Sequence, residues 1–311
     1  MKKISILVPT YNEEDNVNNV VEKLEKIFTE NLENYDYEIV FIDNCSNDNT
    51  RNILKEVCKN NKKIKYIFNA KNFGIARSVF YGLTQTTGDC TILIYADFQE
   101  PPELIPNLIE EWENGYKIVI GKKNSSKENT IMYIIRLIYY KLIKYVSEIE
   151  HIDNFNGFGL YDKSFIDVLR NLDDSEPYLR GIVAELGYKM KTVIYEHQKR
   201  KFGKTHFNLY KLYDHAMLGI TSYSKIVLRL ATMFGFLFSV ITFIIGLITL
   251  IQKIINWNNY PIGMAALMVG VFFIGSIQLF FIGLLGEYIL NINLRIMKRP
   301  LVIEEERINF E

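Results

Sequence analysis

The chain has 311 residues, of which 49% are hydrophobic, and its 36 basic and 36 acidic residues give a formal net charge of zero. A zero net charge provides no general attraction to nucleic acid, so we expect no nucleic-acid partner. Three cysteines without metal-ligand spacing, Cys45, Cys58 and Cys90, indicate reduced thiols in a cytosolic compartment.

Short apolar runs alternate with helical patterns from residue 4 to residue 120. The predicted strands are 4–8, 38–42, 64–68, 91–95 and 117–120, and the predicted helices are 15–30, 50–59, 75–84 and 102–112. Strands rich in isoleucine and valine that alternate with helices predict an α/β fold with a doubly wound, mostly parallel sheet.

Polar residues follow three of these strands, in the segments 9–13, 43–44 and 97–100. Ligands of doubly wound sheets bind beyond the carboxyl ends of the strands, so we expect the three segments to line one crevice. No glycine-rich dinucleotide or P-loop motif is present, which removes the usual support for those two classes. Asp43 can accept hydrogen bonds from a ribose or a base, or it can simply form a turn, and the residues alone leave both readings open.

Two later segments carry positive charge beside apolar residues. Residues 131–146 combine isoleucine, leucine and tyrosine with Arg136, Lys141 and Lys144 and have no acidic residue. This pattern predicts a helix at a membrane interface, with a helix docked on the globular domain as the alternative. A basic run at 197–201 comes shortly before an uncharged segment, which favours a phosphate or headgroup site over a solvated surface.

No charged residue occurs in 230–252 or in 262–286. Each segment is long enough to cross a hydrocarbon core of about 30 Å as a helix, so we predict two transmembrane helices rather than two buried core helices. Positive residues outside both spans place the flanks in the cytosol and the loop 253–261 outside. The predicted organisation is a cytosolic domain over 1–226 with membrane-interface helices at 131–149 and 206–226, a two-helix transmembrane domain over 227–292, and a cytosolic tail over 293–311.

Several motifs occur in a fixed order along the chain. They read ISILVPTYNEEDNV, FIDNCSNDNT, NAKNFGIARSVFYGLTQTTGD, YADFQEPPELIPNLIEEWENGYKIVIG, NGFGLYDK and KRKFGKTHFNLYKLYDHAMLGITSYSK, and the two uncharged segments follow them. Over nearly its whole length the chain resembles the polyprenyl-phosphate glycosyltransferases. These form the dolichyl-phosphate-mannose-synthase-like branch of family 2 glycosyltransferases, and the match is to a bacterial subgroup with two C-terminal membrane spans.

The resemblance implies a GT-A-type fold and an enzyme of the inner (cytoplasmic) membrane. Such an enzyme transfers a hexose, with inversion, from a nucleotide sugar to undecaprenyl phosphate at the cytosolic face. A UDP-sugar such as UDP-glucose is favoured over a GDP-sugar as the donor. The product, a polyprenyl-phosphate sugar, serves the modification of cell-surface glycans. The implied partners are the donor, the lipid phosphate and the bilayer, and the implied cofactor is Mg²⁺ or Mn²⁺; a homo-oligomer is left open.

The resemblance also implies roles for particular residues. It assigns catalysis to Asp97 and Arg200, nucleotide binding to Pro9, Tyr11, Glu13 and Asp43, metal binding to Asp97 and Gln99, phosphate binding to Arg200 and Lys204, and the sugar site to Asp153, Asn154 and Asn156. The family has further carboxylates where this chain has Asn44 and Tyr95. Glu100 is expected to compensate as a third metal ligand.

Two alternatives remain open. A processive polysaccharide synthase is the first, but neither Trp112 nor Trp257 is preceded by the Q-x-x-R-W motif of that class. The second is a non-catalytic membrane relative that keeps the fold, which only Asn44 and Tyr95 support.

Overall fold

The computed structural model describes residues 1–124, 152, 154–196, 198, 233–238, 264–297 and 299–310, and the single residues 240, 241, 244, 248, 251 and 255. The predicted interface helices at 131–149 and 206–226 lie outside the described residues. So does most of the first predicted membrane span.

The described elements alternate between strands and helices, as the sequence predicts. The strands are β1 (Lys3–Thr10), β2 (Asp36–Asp43), β3 (Ile64–Asn69), β4 (Cys90–Leu93), β5 (Ile118–Lys123), β6 (Gly159–Asp162), β7 (Met190–Tyr195) and β8 (Glu304–Ile308). The α-helices are α1 (Val17–Asn31), α2 (Thr50–Asn60), α3 (Ile75–Gln85), α4 (Ile105–Glu113), α5 (Lys163–Asn171), α6 (Leu179–Glu185) and α7 (Met264–Ile296), and a 3₁₀ turn at Pro102–Leu104 leads into α4.

The strands form one sheet in the order β7-β5-β6-β4-β1-β2-β3-β8. Strands β4, β1, β2 and β3 run parallel, as do β5 and β7, whereas β6 and β8 are antiparallel to their neighbours. The predicted doubly wound, mostly parallel sheet is therefore confirmed for its central strands. β6, β7 and β8 are additions that the sequence patterns did not predict.

Apolar cores cover both faces of this sheet. Ile6 and Phe41 point toward α1, α2 and α4, while Leu7 and Ile42, the next residue in each strand, point toward α3 and α5. Because successive side chains of a strand face opposite sides, strands buried on both faces must be apolar at nearly every position. This explains why β1 and β2 appear in the sequence as continuous apolar runs.

The chain after α7 returns to the sheet. The predicted tail over 293–311 begins inside α7, and its residues 304–308 form β8, which pairs antiparallel with β3 at the edge of the sheet. Val302 is buried there. The tail is thus part of the folded domain, although three consecutive glutamates at its centre lack any strand signal in the sequence.

Among the residues that the structure describes, no helix combines the length and the hydropathy that a membrane span requires.

Candidate active site

The ends of β1 and β2 place the first two predicted segments side by side. Pro9 pairs with Ile42 in the register of the two strands, and Thr10 pairs with Asp43. The backbone N–H of Asn44 donates to the Thr10 carbonyl at 3.0 Å. The loop after β1 and the loop after β2 therefore leave the sheet together, and β4 lies on the other side of β1.

Asp43 is completely buried and organises its own loop. Its carboxylate accepts hydrogen bonds from the Ser46 backbone N–H at 3.0 Å, from the Ser46 hydroxyl, and from Arg51 Nε at 2.8 Å. Nucleotide binding by Asp43 stays a prediction. In this structure the carboxylate acts by shaping the loop that would meet the nucleotide.

The two loops are also hydrogen-bonded to each other. The Asn12 N–H donates to the Ser46 hydroxyl at 2.8 Å, and the Glu13 N–H donates to the Thr50 hydroxyl at 2.9 Å. The Glu13 carboxylate accepts from the Asn16 side chain at 2.6 Å. Pro9 and Tyr11 are half-buried at the same edge. The structure thus brings Pro9, Tyr11, Glu13 and Asp43 into one region.

Asn44, which stands where the family has a carboxylate, uses both ends of its amide. Its Nδ2 donates to Asn72 Oδ1 at 2.9 Å, while its Oδ1 accepts from the Phe73 N–H at 2.9 Å and from Asn69 Nδ2 at 3.3 Å. An ionised aspartate has no donor for Asn72. The departure at residue 44 therefore has a structural reason: it fixes the loop after β3.

The segment 94–101 leaves the sheet after β4, which ends at Leu93, two residues earlier than predicted. Asp97 Oδ1 accepts from the Gln99 N–H at 3.2 Å, and Phe98 between them has a left-handed backbone with φ of 58°. The prolines at 101 and 102 then direct the chain into α4. As a result, Asp97 and Gln99 lie on a tight turn beside β1 rather than on a continued strand.

Glu100 is the most confined carboxylate of this turn, with 2% of its surface exposed. Its Oε1 accepts from Asn156 Nδ2 at 2.6 Å and from the Tyr195 hydroxyl at 3.3 Å. Its Oε2 is buried without a hydrogen-bond partner. Burial, reinforced by the negative charge of Asp97, raises the pKa of Glu100 to about 7. A bound cation would satisfy the unpartnered oxygen and relieve the repulsion between the two carboxylates.

This donor set fits a divalent cation in part. The described part of the chain contains no group of three His, Cys, Asp or Glu side chains arranged to hold a metal. Mg²⁺, however, is commonly bound by one or two carboxylates, with substrate phosphates and water completing the shell. Asp97 and Glu100 would supply those two carboxylates. Gln99 is half-buried on the same turn.

Tyr95 and Asn156 are hydrogen-bonded to each other beside Glu100. The Tyr95 hydroxyl donates to the Asn156 backbone carbonyl at 3.0 Å. Burial, followed by the charge of Glu100, raises the pKa of Tyr95, so its phenol stays neutral beside the carboxylates. Asn156, predicted for the sugar site, contacts Glu100 and Tyr95 directly. Asn154, the other described residue of that prediction, has a left-handed backbone with φ of 57°, and its carbonyl accepts from the Lys123 N–H at 3.3 Å.

Three contributors to the site were missed by the sequence reasoning. Tyr195, at the end of β7, contacts Glu100, and the Gln198 N–H donates to the Gln99 carbonyl at 3.1 Å. Arg51 pairs with Asp43. The only available signals were that Tyr195 comes shortly before the basic run, that Gln198 lies within it, and that Arg51 follows the second motif. The predicted residues Asp153, Arg200 and Lys204 lie outside the described residues.

Comparisons with known proteins agree with one another at the level of the family. The family model described as Glycosyl transferase family 2 matches residues 5–170. The bactoprenol glucosyl transferase of Shigella phage SfX is 33% identical over 306 residues, covering 98% of this chain and 99% of the relative. The prophage bactoprenol glucosyl transferase homolog of Escherichia coli strain K12 is 33% identical over 299 residues, covering 96% of this chain and 97% of the relative.

Solved structures are more distant. The glucosyl-3-phosphoglycerate synthase of Mycobacterium tuberculosis, in complex with Mn²⁺, uridine diphosphate and phosphoglyceric acid, is 16% identical with a TM-score of 0.48. The match covers 71% of this chain and 76% of that one.

Proposed function

The chain belongs to glycosyl transferase family 2, and from this membership we propose that it transfers a hexose from a nucleotide sugar to polyprenyl phosphate, with inversion at the anomeric carbon. Two full-length relatives named bactoprenol glucosyl transferase support this acceptor class. The observation that carries the proposal is the Asp97–Glu100 turn, where a carboxylate oxygen is buried without a partner after β4, the strand next to β1. The mixed α/β sheet agrees with a GT-A-like fold.

Asp97 and Glu100 are the residues that would hold Mg²⁺ or Mn²⁺. When bound, such a cation neutralises the negative charge that develops on the departing nucleoside diphosphate. The protein's own contribution is to orient these carboxylates. Asn156 and Tyr195 hold Glu100 Oε1, which leaves Oε2 available, and the Gln99 N–H holds Asp97 Oδ1.

The acceptor needs placement more than activation. A phosphate monoester has its second pKa near 6 and is largely dianionic at neutral pH, so its oxygen attacks without a general base. A single in-line displacement inverts the anomeric centre. The hydrogen bond between Gln198 and Gln99 connects the beginning of the basic run to the Asp97–Glu100 turn. This supports the assignment of Arg200 and Lys204 to the phosphate of the acceptor or donor.

The donor and the product complete the proposal. We favour a UDP-sugar, with UDP-glucose first because the relatives are named glucosyl transferases. The product, a polyprenyl-phosphate sugar, would serve the modification of cell-surface glycans. A screen of labelled UDP- and GDP-sugars against the purified chain and undecaprenyl phosphate tests the donor. We expect chloroform-extractable label from UDP-glucose, and label only from a GDP-sugar would contradict the choice of nucleotide.

Attachment to the inner membrane by two spans within 227–292 is also part of the proposal. Its support is the pair of uncharged segments in the sequence, together with apolar side chains that are exposed along α7. Leu267, Val271, Leu279 and Phe280 are each more than 60% exposed, which is costly in water and expected in lipid. The positive residues outside the spans support cytosolic termini.

The proposed topology predicts a labelling pattern. In a chain without its native cysteines, Asn258→Cys in the connecting loop should react with a membrane-impermeant thiol reagent in intact cells. Ile303→Cys should not react until the cells are opened, although Ile303 is 56% exposed in the fold. The reverse pattern would refute the orientation.

The proposed acceptor site predicts the effect of changing Arg200. Arg200→Lys should weaken use of the lipid phosphate about tenfold, because lysine cannot reproduce the two-pronged contact of a guanidinium with phosphate oxygens. Kinetics should show a higher KM for polyprenyl phosphate or a lower kcat, while calorimetry shows unchanged binding of the nucleotide sugar alone.

A matched control is Lys191→Met, which removes a basic residue of β7 whose ammonium lies 3.6 Å from the Glu111 carboxylate at the surface. Transfer by this variant should be unchanged. If Arg200→Lys weakens nucleotide binding in the absence of lipid, Arg200 binds the phosphates of the donor instead of the acceptor. No change in either measurement would mean that the basic run is a solvated surface.

A further inference from the structure

Arg51, in the first turn of α2, joins three separate parts of the chain through its guanidinium. Nε donates to Asp43 Oδ2 at 2.8 Å, Nη1 donates to Glu305 Oε2 at 2.8 Å, and Nη2 donates to the Asn69 backbone carbonyl at 2.6 Å. The guanidinium also lies over the ring of Phe68, with Cζ 4.9 Å from the ring centroid. Four contacts in fixed directions leave this side chain a single arrangement.

Glu305 belongs to β8, and the other two glutamates of this strand anchor it to the domain. Glu304 accepts from the Tyr81 hydroxyl at 2.7 Å, and Glu306 accepts from the Tyr66 hydroxyl at 2.6 Å and pairs with Lys55 at 2.7 Å. Glu304 thus contacts α3, Glu306 contacts β3 and α2, and Glu305 contacts α2. Glu305 is the one that reaches Arg51, and it is 55% exposed at its side chain.

The contacts of Asp43 extend this chain of bonds into the nucleotide region. The Asp43 carboxylate is shared between Arg51 and Ser46, and the Ser46 hydroxyl in turn accepts the N–H of Asn12. Moving the Arg51 guanidinium would take from this fully buried carboxylate its cationic partner and leave Oδ2 with the Ser46 N–H alone. A buried carboxylate without its cation is costly, so Asp43 would move to find another donor, and Ser46 and the loop bonded to it would shift with it.

We propose that Arg51 is a positioning residue for the nucleotide site and that Glu305 of the C-terminal strand completes this role. The inference rests on the proposed function, since it takes the loops around Asp43 as the nucleotide-binding loops. It goes beyond that function in one respect: the strand that follows α7 takes part in shaping the donor site. Docking of the C-terminal strand and affinity for the donor are then linked by one side chain.

Binding of UDP and GDP to the full chain in detergent, measured by calorimetry, tests this link. Arg51→Lys keeps the positive charge but cannot form all three hydrogen bonds of the guanidinium. We therefore expect about tenfold weaker binding of the preferred nucleotide. Glu305→Gln removes a half-exposed partner, and we expect about threefold weaker binding. In transfer assays, both variants should raise the KM for the donor with little change in kcat.

Glu306→Gln is the matched control. It lies next to Glu305 on the same strand, and its carboxylate bonds to Lys55 and Tyr66, so it acts on Arg51 only through its charge. Nucleotide binding should be unchanged in this variant. If Glu305→Gln binds as tightly as the wild-type chain, or if Glu306→Gln weakens binding equally, the positioning role is refuted. If the wild-type chain binds neither nucleotide, the proposed function itself falls, and the inference falls with it.

Discussion

Asp97→Asn should lower sugar transfer at least about a hundredfold, because the variant loses the negative charge that holds a divalent cation against the leaving diphosphate. The asparagine oxygen can still accept the Gln99 N–H, which Asp97 Oδ1 accepts at 3.2 Å, so the turn should keep its shape. Transfer from the labelled donor to lipid phosphate, measured in purified protein with Mg²⁺ or Mn²⁺ present, gives the comparison.

The result can be separated from misfolding. The thermal melting temperature of Asp97→Asn should match that of the wild-type chain, since Asp97 is only half-buried on the turn. Asp97→Ala should be at least as inactive. Near wild-type turnover in both variants would refute the assignment of Asp97 to the active site and, with it, the proposed cation.

Of the substitutions proposed here, Glu38→Gln should lower the free energy of unfolding the most. The Glu38 side chain is 2% exposed in β2, at the end of the sheet away from the candidate site, and it neutralises Lys3 at 2.8 Å and Lys65 at 2.9 Å. It also accepts from the Ser5 hydroxyl at 2.6 Å and the Thr87 N–H at 2.7 Å. Removing one member of a buried, hydrogen-bonded charge cluster costs about 3–5 kcal/mol. Most of this cost should come from Lys65, whose side chain is only 11% exposed and would lose its anionic partner.

Urea denaturation followed by tryptophan fluorescence measures this change in the free energy of unfolding. Asp36→Asn is a matched control on the same strand, since Asp36 pairs with Lys63 at 2.7 Å but is 47% exposed. That variant should lose no more than about 1 kcal/mol. Equal losses in the two variants would show that the cluster around Glu38 is not a major source of stability.

The same cluster predicts how stability depends on pH. Burial alone would raise the pKa of Glu38, but hydrogen bonds from Lys3, Ser5 and Lys65 outweigh it and lower the pKa from 4.5 to about 2. A carboxyl group whose pKa is lower in the folded chain than in the unfolded chain stabilises the fold at any pH above its unfolded pKa. The contribution of Glu38 should therefore be complete above about pH 4.5 and lost as the pH falls toward about 2. Glu38→Gln should flatten that part of the acid denaturation curve.

The central sheet could be predicted from the sequence because its strands are buried on both faces. β1 and β2 are continuous apolar runs, and the helices between strands have a clear period. β8 could not be predicted, since a strand of consecutive glutamates has no apolar pattern. Its stability comes from partners far along the chain, such as Tyr66 and Tyr81, which only the folded structure brings to Glu306 and Glu304.

In the candidate site, too, some residues could be predicted from the sequence and others are identified only by the fold. The position of Asp97 after an apolar strand pointed to a ligand site. Tyr195 enters the site only through the order of the strands, and Arg51 through the fold of the loop between β2 and α2. Asn44 and Tyr95 looked like losses of function when compared with the family. In the structure Asn44 fixes the loop after β3, and Tyr95 bonds to the carbonyl of Asn156, the residue that also holds Glu100. The two departures therefore no longer favour a non-catalytic relative.

Dependence of the reaction on lipid phosphate is the most direct test of the central claim. The purified chain should be incubated with labelled UDP-glucose and a divalent cation, with and without undecaprenyl phosphate. We expect label to enter the chloroform phase only when the lipid phosphate is present, with an equimolar release of UDP. Label in a water-soluble polymer, or release of UDP at the same rate without the lipid, would contradict transfer to a polyprenyl phosphate.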